Sequence, residues 1–266
     1  MDVPVLTDND LRFVAETIGD DRHGAMPSLD VLRARDDLVD VMLEDDRLVR
    51  RLLGDEQALL RVSPAFVFSV LLRRVIRDLE QHPYTLERTP AETVAVFDAP
   101  RVRRFIAEPG IWGYLVGMLT SFIRAETVTV FVKQGEGYRR RRFNTLNIDD
   151  MIALAALVGQ DEARPIFKRV ADIALFTSGM FPDYLRSPRH GGPALHRGQA
   201  IPRTVETYEE HGRRFYRLAA KPEGRPEGRV LATLADEFPL ARKSLELLSD
   251  RYLRWTRLSW FPLPSQ

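Results

Sequence analysis

The sequence predicts a mainly α protein, a multi-helix bundle with one β-hairpin at about 127–144 and a short third strand at 93–97. Three observations support this. Apolar residues recur at three- and four-residue spacing through most of the 266 residues. The stretch Thr127 to Asn144, TVTVFVKQGEGYRRRRFN, alternates with a period of two and turns through Gly135 and Gly137. Breaks such as Ser63-Pro64, His82-Pro83 and Glu108-Pro109-Gly110 mark the joints between helices.

Taken in order, Thr7 or Asp8 caps a first helix carrying Leu11, Phe13, Val14 and Ile18. Ser28 starts a second, with Val31, Leu32, Val39, Met42 and Leu43 on one side. Leu48, Val49, Leu52 and Leu53 continue the pattern until Gly54 stops it. Proline at the first helical position gives up no intrahelical bond, so Ser63-Pro64 begins a helix that runs to about Gln81. It places Phe66, Val70, Leu71 and Ile76 inward and Arg73, Arg74 and Arg77 outward. Residues 84–97 read as extended, a helix follows from Asp98 to about Ala107, and another from about Ile111 to Ala125. Beyond the hairpin, Asn147 or Asp149 caps a helix through Leu157, and Asp161 starts a longer one. Residues 186–203 form the most loop-like segment. Val205 to Ala220 is helical, with Gly212 on its apolar face at a point of close helix contact. Lys221 to Arg229 reads as a turn or linker, and Phe238-Pro239 splits the final helical section. The chain divides into an N-terminal helical segment (1–62), a helical region ending in the hairpin (63–145) and a C-terminal helical region (146–266), as one unit or two lobes. There is no internal repeat and no low-complexity run.

Hydrophobic content of 44% and charged content of 29% fit a globular protein. The net charge of +1 argues against a surface that coats nucleic acid throughout, so an anionic partner must be met locally. The basic residues are 35 arginines against 4 lysines. With no cysteine, disulfides, thiolate-bound metals and a cysteine nucleophile are excluded. MDVPVLTDNDLRF lacks the basic and apolar regions of a signal peptide. Ile111 to Ile123, bounded by Pro109 and Arg124, is too short to span a bilayer. The expectation is a cytoplasmic protein with no membrane association.

The hairpin holds the densest functional signal. With Gly135-Glu136 as loop residues, Lys133 faces Tyr138, Phe131 faces Arg140 and Thr129 faces Arg142. One face then carries Phe131, Lys133, Tyr138, Arg140 and Arg142. The other carries Val128, Val130, Val132, Arg139, Arg141 and Phe143, with arginine stems lying over the valines. Interleaved aromatic and basic groups suit phosphate contact and base stacking. Five positive charges (Lys133 and Arg139 to Arg142) stand against one negative, Glu136. An acidic stripe at Asp36, Asp40 and Glu44, flanked by Asp37, Asp45 and Asp46, offers the arginines a partner within the chain.

The order helix (63–81), strand (93–97), helix (98–107), helix (111–125), hairpin resembles a winged-helix domain over residues 63–145. The resemblance implies nucleic-acid contact. In a winged helix the third helix offers polar side chains to base edges, whereas here it is IWGYLVGMLTSFIRA with Arg124 as its one charge. Sequence-specific reading of DNA is therefore not expected. Arg101, Arg103 and Arg104 on the preceding helix can touch phosphates, which positions without specifying.

Other chemistry has thinner support. His190-Gly191-Gly192 is similar to an esterase oxyanion loop, but no Gly-x-Ser-x-Gly turn accompanies it. Thr177-Ser178-Gly179 reads as helix packing. Glu206, Glu209, Glu210 and His211 lack metal-ligand spacing, and Glu209 to Arg213 is an ordinary i, i+4 pair. No phosphate-binding loop follows a strand. No catalytic residue, metal or cofactor is expected. Trp255, Trp260 and Phe261 either dock on the helical core or anchor a partner. The sequence thus points to a non-enzymatic binding or adaptor protein that contacts an anionic partner, a nucleic-acid backbone or an acidic protein surface, with self-association as a further outcome. The alternative is an enzyme or ligand binder using His190, His196 and arginines of the 186–203 loop.

Overall fold

A computed structural model describes residues 6–19, 28–88, 92–124, 126–134, 137–186, 204–220, 226–253 and 261. The chain divides into two compact units, Met1–Glu87 with Val94–Thr120 and Arg88–Thr93 with Ser121–Gln266. The architecture is mainly helical with a β-hairpin, as the sequence predicts, and the strand expected at 93–97 pairs with a further strand in a second two-stranded sheet.

The first unit opens with α1 (Asp8–Ile18), α2 (Leu29–Ala34), α3 (Asp36–Leu43), α4 (Asp46–Gly54) and α5 (Glu56–Arg61). The helix expected to run from Ser28 through Leu43 is two helices. Arg35 adopts φ −130° and ψ 74°, outside the helical region, and its guanidinium bonds Asp37 instead. α4 ends at Gly54, as expected, but a short helix follows at once. Asp55 accepts a hydrogen bond from the Gln57 amide at 2.9 Å and caps α5, which apolar periodicity did not mark. The long α6 (Pro64–Gln81) starts at Pro64 as expected, with the Ser63 hydroxyl accepting from the Phe66 amide. Its Phe66, Val67, Phe68, Val70, Leu71, Leu72 and Val75 are buried, and α1, α3, α4 and α7 (Ala99–Ile106) pack around this unit's core.

Two strands interrupt the helices. β1 (Thr85–Arg88) pairs with β2 (Thr93–Val96), and the buried Thr85 hydroxyl donates to Asp98 at 2.6 Å. After α7 comes α8 (Pro109–Ser121), which begins at Pro109 and buries Ile111, Trp112, Tyr114, Leu115, Val116, Met118 and Leu119. The winged-helix order of 63–145 is therefore present, but its sheet is not. β2 takes β1 as its neighbour, and β3 (Thr127–Gln134) pairs with β4 (Gly137–Asn144) in a separate sheet.

The second unit holds that hairpin and a helical core built on α10 (Gln160–Met180). Against α10 pack α9 (Ile148–Ala155), α12 (Val205–Ala219) and α14 (Phe238–Leu248), with α11 (Pro182–Arg186) and α13 (Pro226–Asp236) alongside. The linker expected over 221–229 is helical from Pro226 onward, because Pro226 sits at the first helical position, where its missing N–H is harmless. Two glycines allow close approach. A Cβ on Gly179 would lie 2.6 Å from Leu245 Cβ, and one on Gly212 would lie 2.1 Å from Phe238 Cε2. α14 passes into a π-helical turn, Ser249–Leu253, whose Ser249 hydroxyl donates to the Met180 carbonyl at 2.8 Å.

Candidate anion-binding hairpin

The hairpin is fixed at its base. Phe122, just before β3, is 2% exposed and stacks on Phe176 of α10, with centroids 4.1 Å apart and planes within 2°. The Arg169 guanidinium covers the same Phe122 ring at 4.0 Å. That guanidinium also donates from Nε to the Thr145 carbonyl and from Nη1 to the Ser121 hydroxyl, both at 2.8 Å. One α10 side chain thereby holds both the entry to β3 and the exit from β4. The Asn144 amide donates to Asp150 Oδ2 at 2.8 Å, and Thr145 and Glu126 bond each other across the opening of the ladder. Phe143 is 1% exposed, sealing the last turn of β4.

The register follows the alternation read from the sequence. Thr129 pairs with Arg142, Val130 with Arg141, Phe131 with Arg140, Val132 with Arg139, and Lys133 with Tyr138. Residues directly opposite share a face. Phe131, Tyr138, Arg140 and Arg142 therefore lie on one face, where Phe131 is 66% and Tyr138 73% exposed. The opposite face carries Val128, Val130, Arg139, Arg141 and Phe143, and the Arg141 guanidinium sits 5.0 Å from the Phe143 ring centroid. The backbone of Lys133 pairs with Tyr138, but its side chain and those of Val132 and Glu136 lie outside the described residues.

All four arginines are exposed, and none forms an ion pair with a described carboxylate. The acidic stripe has other cations. Asp40 Oδ1 lies 2.5 Å from Arg73 Nη2, Glu44 lies 3.9 Å from the same guanidinium, and Asp46 takes both Arg74 and Arg77. Those arginines come from α6, where Arg77 lies three and four residues beyond Arg74 and Arg73, so the stripe on α3 and α4 is complemented inside its own unit. Asp37 pairs with Arg35 and Asp45 with Arg47, each at 2.8 Å. These bonds hold the Asp45 carboxyl below its ordinary value and depress Asp37 to about 2. The side chain of Asp36 lies outside the described residues.

The remaining sites fall as follows. Arg103 is committed to Glu80 at 2.6 Å. Phe261 is 2% exposed, edge-on to Phe176 at 4.9 Å and Phe181 at 6.4 Å, so its ring is part of the second unit's core. Trp255, Trp260, His190, His196 and nearly all of the 186–203 loop lie outside the described residues. Ser178 is buried and donates back to the Ala174 carbonyl at 2.8 Å, which makes it a packing residue. Glu209 pairs with Arg213 at 3.3 Å, and His211 Nδ1 bonds the Thr207 carbonyl at 2.7 Å. Among the described residues no three His, Asp or Glu side chains converge on a metal position, and no helix is long and apolar enough to cross a membrane.

Arg169, Thr145 and Asp150 were not singled out from the sequence. Arg169 reaches partners 24 and 48 residues away, a separation no local pattern encodes. No protein-family model, no curated protein and no solved structure matches this chain.

Proposed function

We propose that this chain is a non-enzymatic binding or adaptor protein that meets an anionic partner, a nucleic-acid backbone or an acidic protein surface, through the β3–β4 hairpin. The observation that supports it is the exposed face of Phe131, Tyr138, Arg140 and Arg142, whose guanidiniums have no described carboxylate to neutralise them. Four adjacent guanidiniums repel one another, and a polyanion relieves that repulsion while taking planar, multidentate hydrogen bonds. The fixed base supports the same reading, because a preorganised surface loses less conformational entropy when it binds.

The test is retention on a heparin matrix, eluted with a salt gradient, for the parent chain and for Arg140→Ala/Arg142→Ala. The parent is expected to bind at low salt and elute as salt rises, and the variant to elute markedly earlier with an unchanged circular dichroism spectrum. A parent chain that flows through at low salt, or a folded variant that elutes with the parent, would rule the reading out.

A further inference from the structure

We infer that the anion taken by this hairpin is single-stranded nucleic acid, an assignment that rests on the reading above and narrows it to one partner. Exposed rings also anchor protein interfaces, where they seat in a well-packed pocket of the partner. Two rings interleaved with guanidiniums along one narrow face instead match the alternation of base and phosphate along a single strand. Here Phe131 and Tyr138 are 66% and 73% exposed on the same face as Arg140 and Arg142. Unstacked bases present the π-faces that such rings accept, and duplexes keep those faces covered.

The layout matches that chemistry. Arg140 lies directly across from Phe131 and two residues along the strand from Tyr138. Phe131 and Tyr138 are therefore diagonal neighbours, about 7–8 Å apart on the pleated surface. Arg142 continues the row about 7 Å beyond Arg140. Two ring platforms flanking one guanidinium, with a second in line, can hold two bases and the phosphates that join them. Stacking on the two rings is sequence-tolerant, because every base has a π-face. The rings therefore supply the preference for single strands, and the arginines supply the attraction to phosphate. Arg141, over Phe143 on the other face, takes no part in stacking.

The experiment is fluorescence anisotropy with labelled oligo-dT and oligo-U of about 12 nucleotides, within the site sizes usual for aromatic single-strand platforms. The same oligomer annealed to its complement and a labelled poly-glutamate serve as comparison anions. The variants are Phe131→Leu/Tyr138→Leu, Tyr138→Phe and Arg140→Ala/Arg142→Ala, each checked for a parental melting transition. The leucine pair is expected to weaken single-strand binding at least about tenfold while leaving heparin retention unchanged. Tyr138→Phe, which keeps the ring, is expected to bind like the parent. The arginine pair is expected to weaken binding and to flatten the log–log salt slope by about 1.4, the release expected for two phosphate contacts on a single strand. If the folded leucine pair binds single strands as tightly as the parent, or if duplex or poly-glutamate binds as tightly as oligo-dT, the single-strand assignment fails and general anion binding stands. If no polyanion binds at low salt, both fall together.

Discussion

A carboxylate with no exposed surface joins two helices of the first unit. Asp10 Oδ1 accepts from the Ser63 amide at 2.6 Å, and Oδ2 accepts from the Ser63 hydroxyl at 2.7 Å and from the Thr7 amide at 2.8 Å. Thr7 completes a capping box with the Asp10 amide, so the same side chain closes the start of α1 and pins the start of α6. Asp10→Ala would leave buried donors unpaired, and hydrogen bonds to a charged acceptor are worth about 1.5–3 kcal/mol each. The expected loss is about 3 kcal/mol or more in urea unfolding, with Asp10→Asn intermediate because it keeps one acceptor oxygen. A loss below about 1 kcal/mol for the alanine variant would show that the network contributes little. The sequence made Thr7 legible as a cap but not the role of Asp10, since its second partner lies 53 residues away. Arg169 was hidden in the same way. A buried or bridging polar side chain declares its residue type in the sequence but not its distant partner.

At the scale of elements, legibility follows the strength of local chemistry. The hairpin register was readable because side-chain period and a glycine turn each fix it independently. The α2–α3 break was not, since Arg35 leaves the helical region without a proline or glycine to announce it. β1, Thr85 to Arg88, was read only as extended chain, because TLER lacks the β-branched run that marks the equally short TVAV of β2. The close contact at Gly212 was legible, as a glycine on an otherwise apolar helix face, and Phe238 proves to be what it meets. Gly212→Ala would push a methyl group into that ring, with an expected loss of about 1–3 kcal/mol. Gly117, inside α8, meets nothing within 4 Å of a built Cβ and is exposed. Gly117→Ala is therefore expected to stabilise the chain by about 0.5–1 kcal/mol through the unfolded state and helix propensity. Paired urea melts check both, and the contact account fails if the two alanines shift the midpoint in the same direction.

For the molecule as a whole, 39 basic and 38 acidic residues nearly cancel, so stability against acid depends on where the carboxylates sit. Hydrogen bonds from neighbouring guanidiniums hold Asp8 (Arg33), Asp37 (Arg35) and Asp45 (Arg47) below the ordinary carboxylate range, with Asp37 at about 2. Unfolding returns each to about 3.9. In the window between the two values the unfolded chain binds more protons than the folded one, so stability rises with pH across it. The contribution is complete above about pH 4 and is lost as pH falls toward 2. These pairs are largely exposed, so each contributes modestly and salt screens it. Protonation also uncovers the arginine excess, whose self-repulsion grows as the same window is crossed. The melting temperature is expected to be level above about pH 5 and to fall steeply below 4, less so in 1 M salt, where the Debye length is about 3 Å. Asp37→Asn/Asp45→Asn separates the two causes, because it removes two of the three depressed carboxylates while changing the low-pH charge very little. Its melting temperature should start lower at neutral pH and converge on the parent near pH 2, in thermal melts followed by circular dichroism. Parallel curves with a constant gap down to pH 2 would assign the acid loss to general charge repulsion and leave these pairs without a measurable part in it.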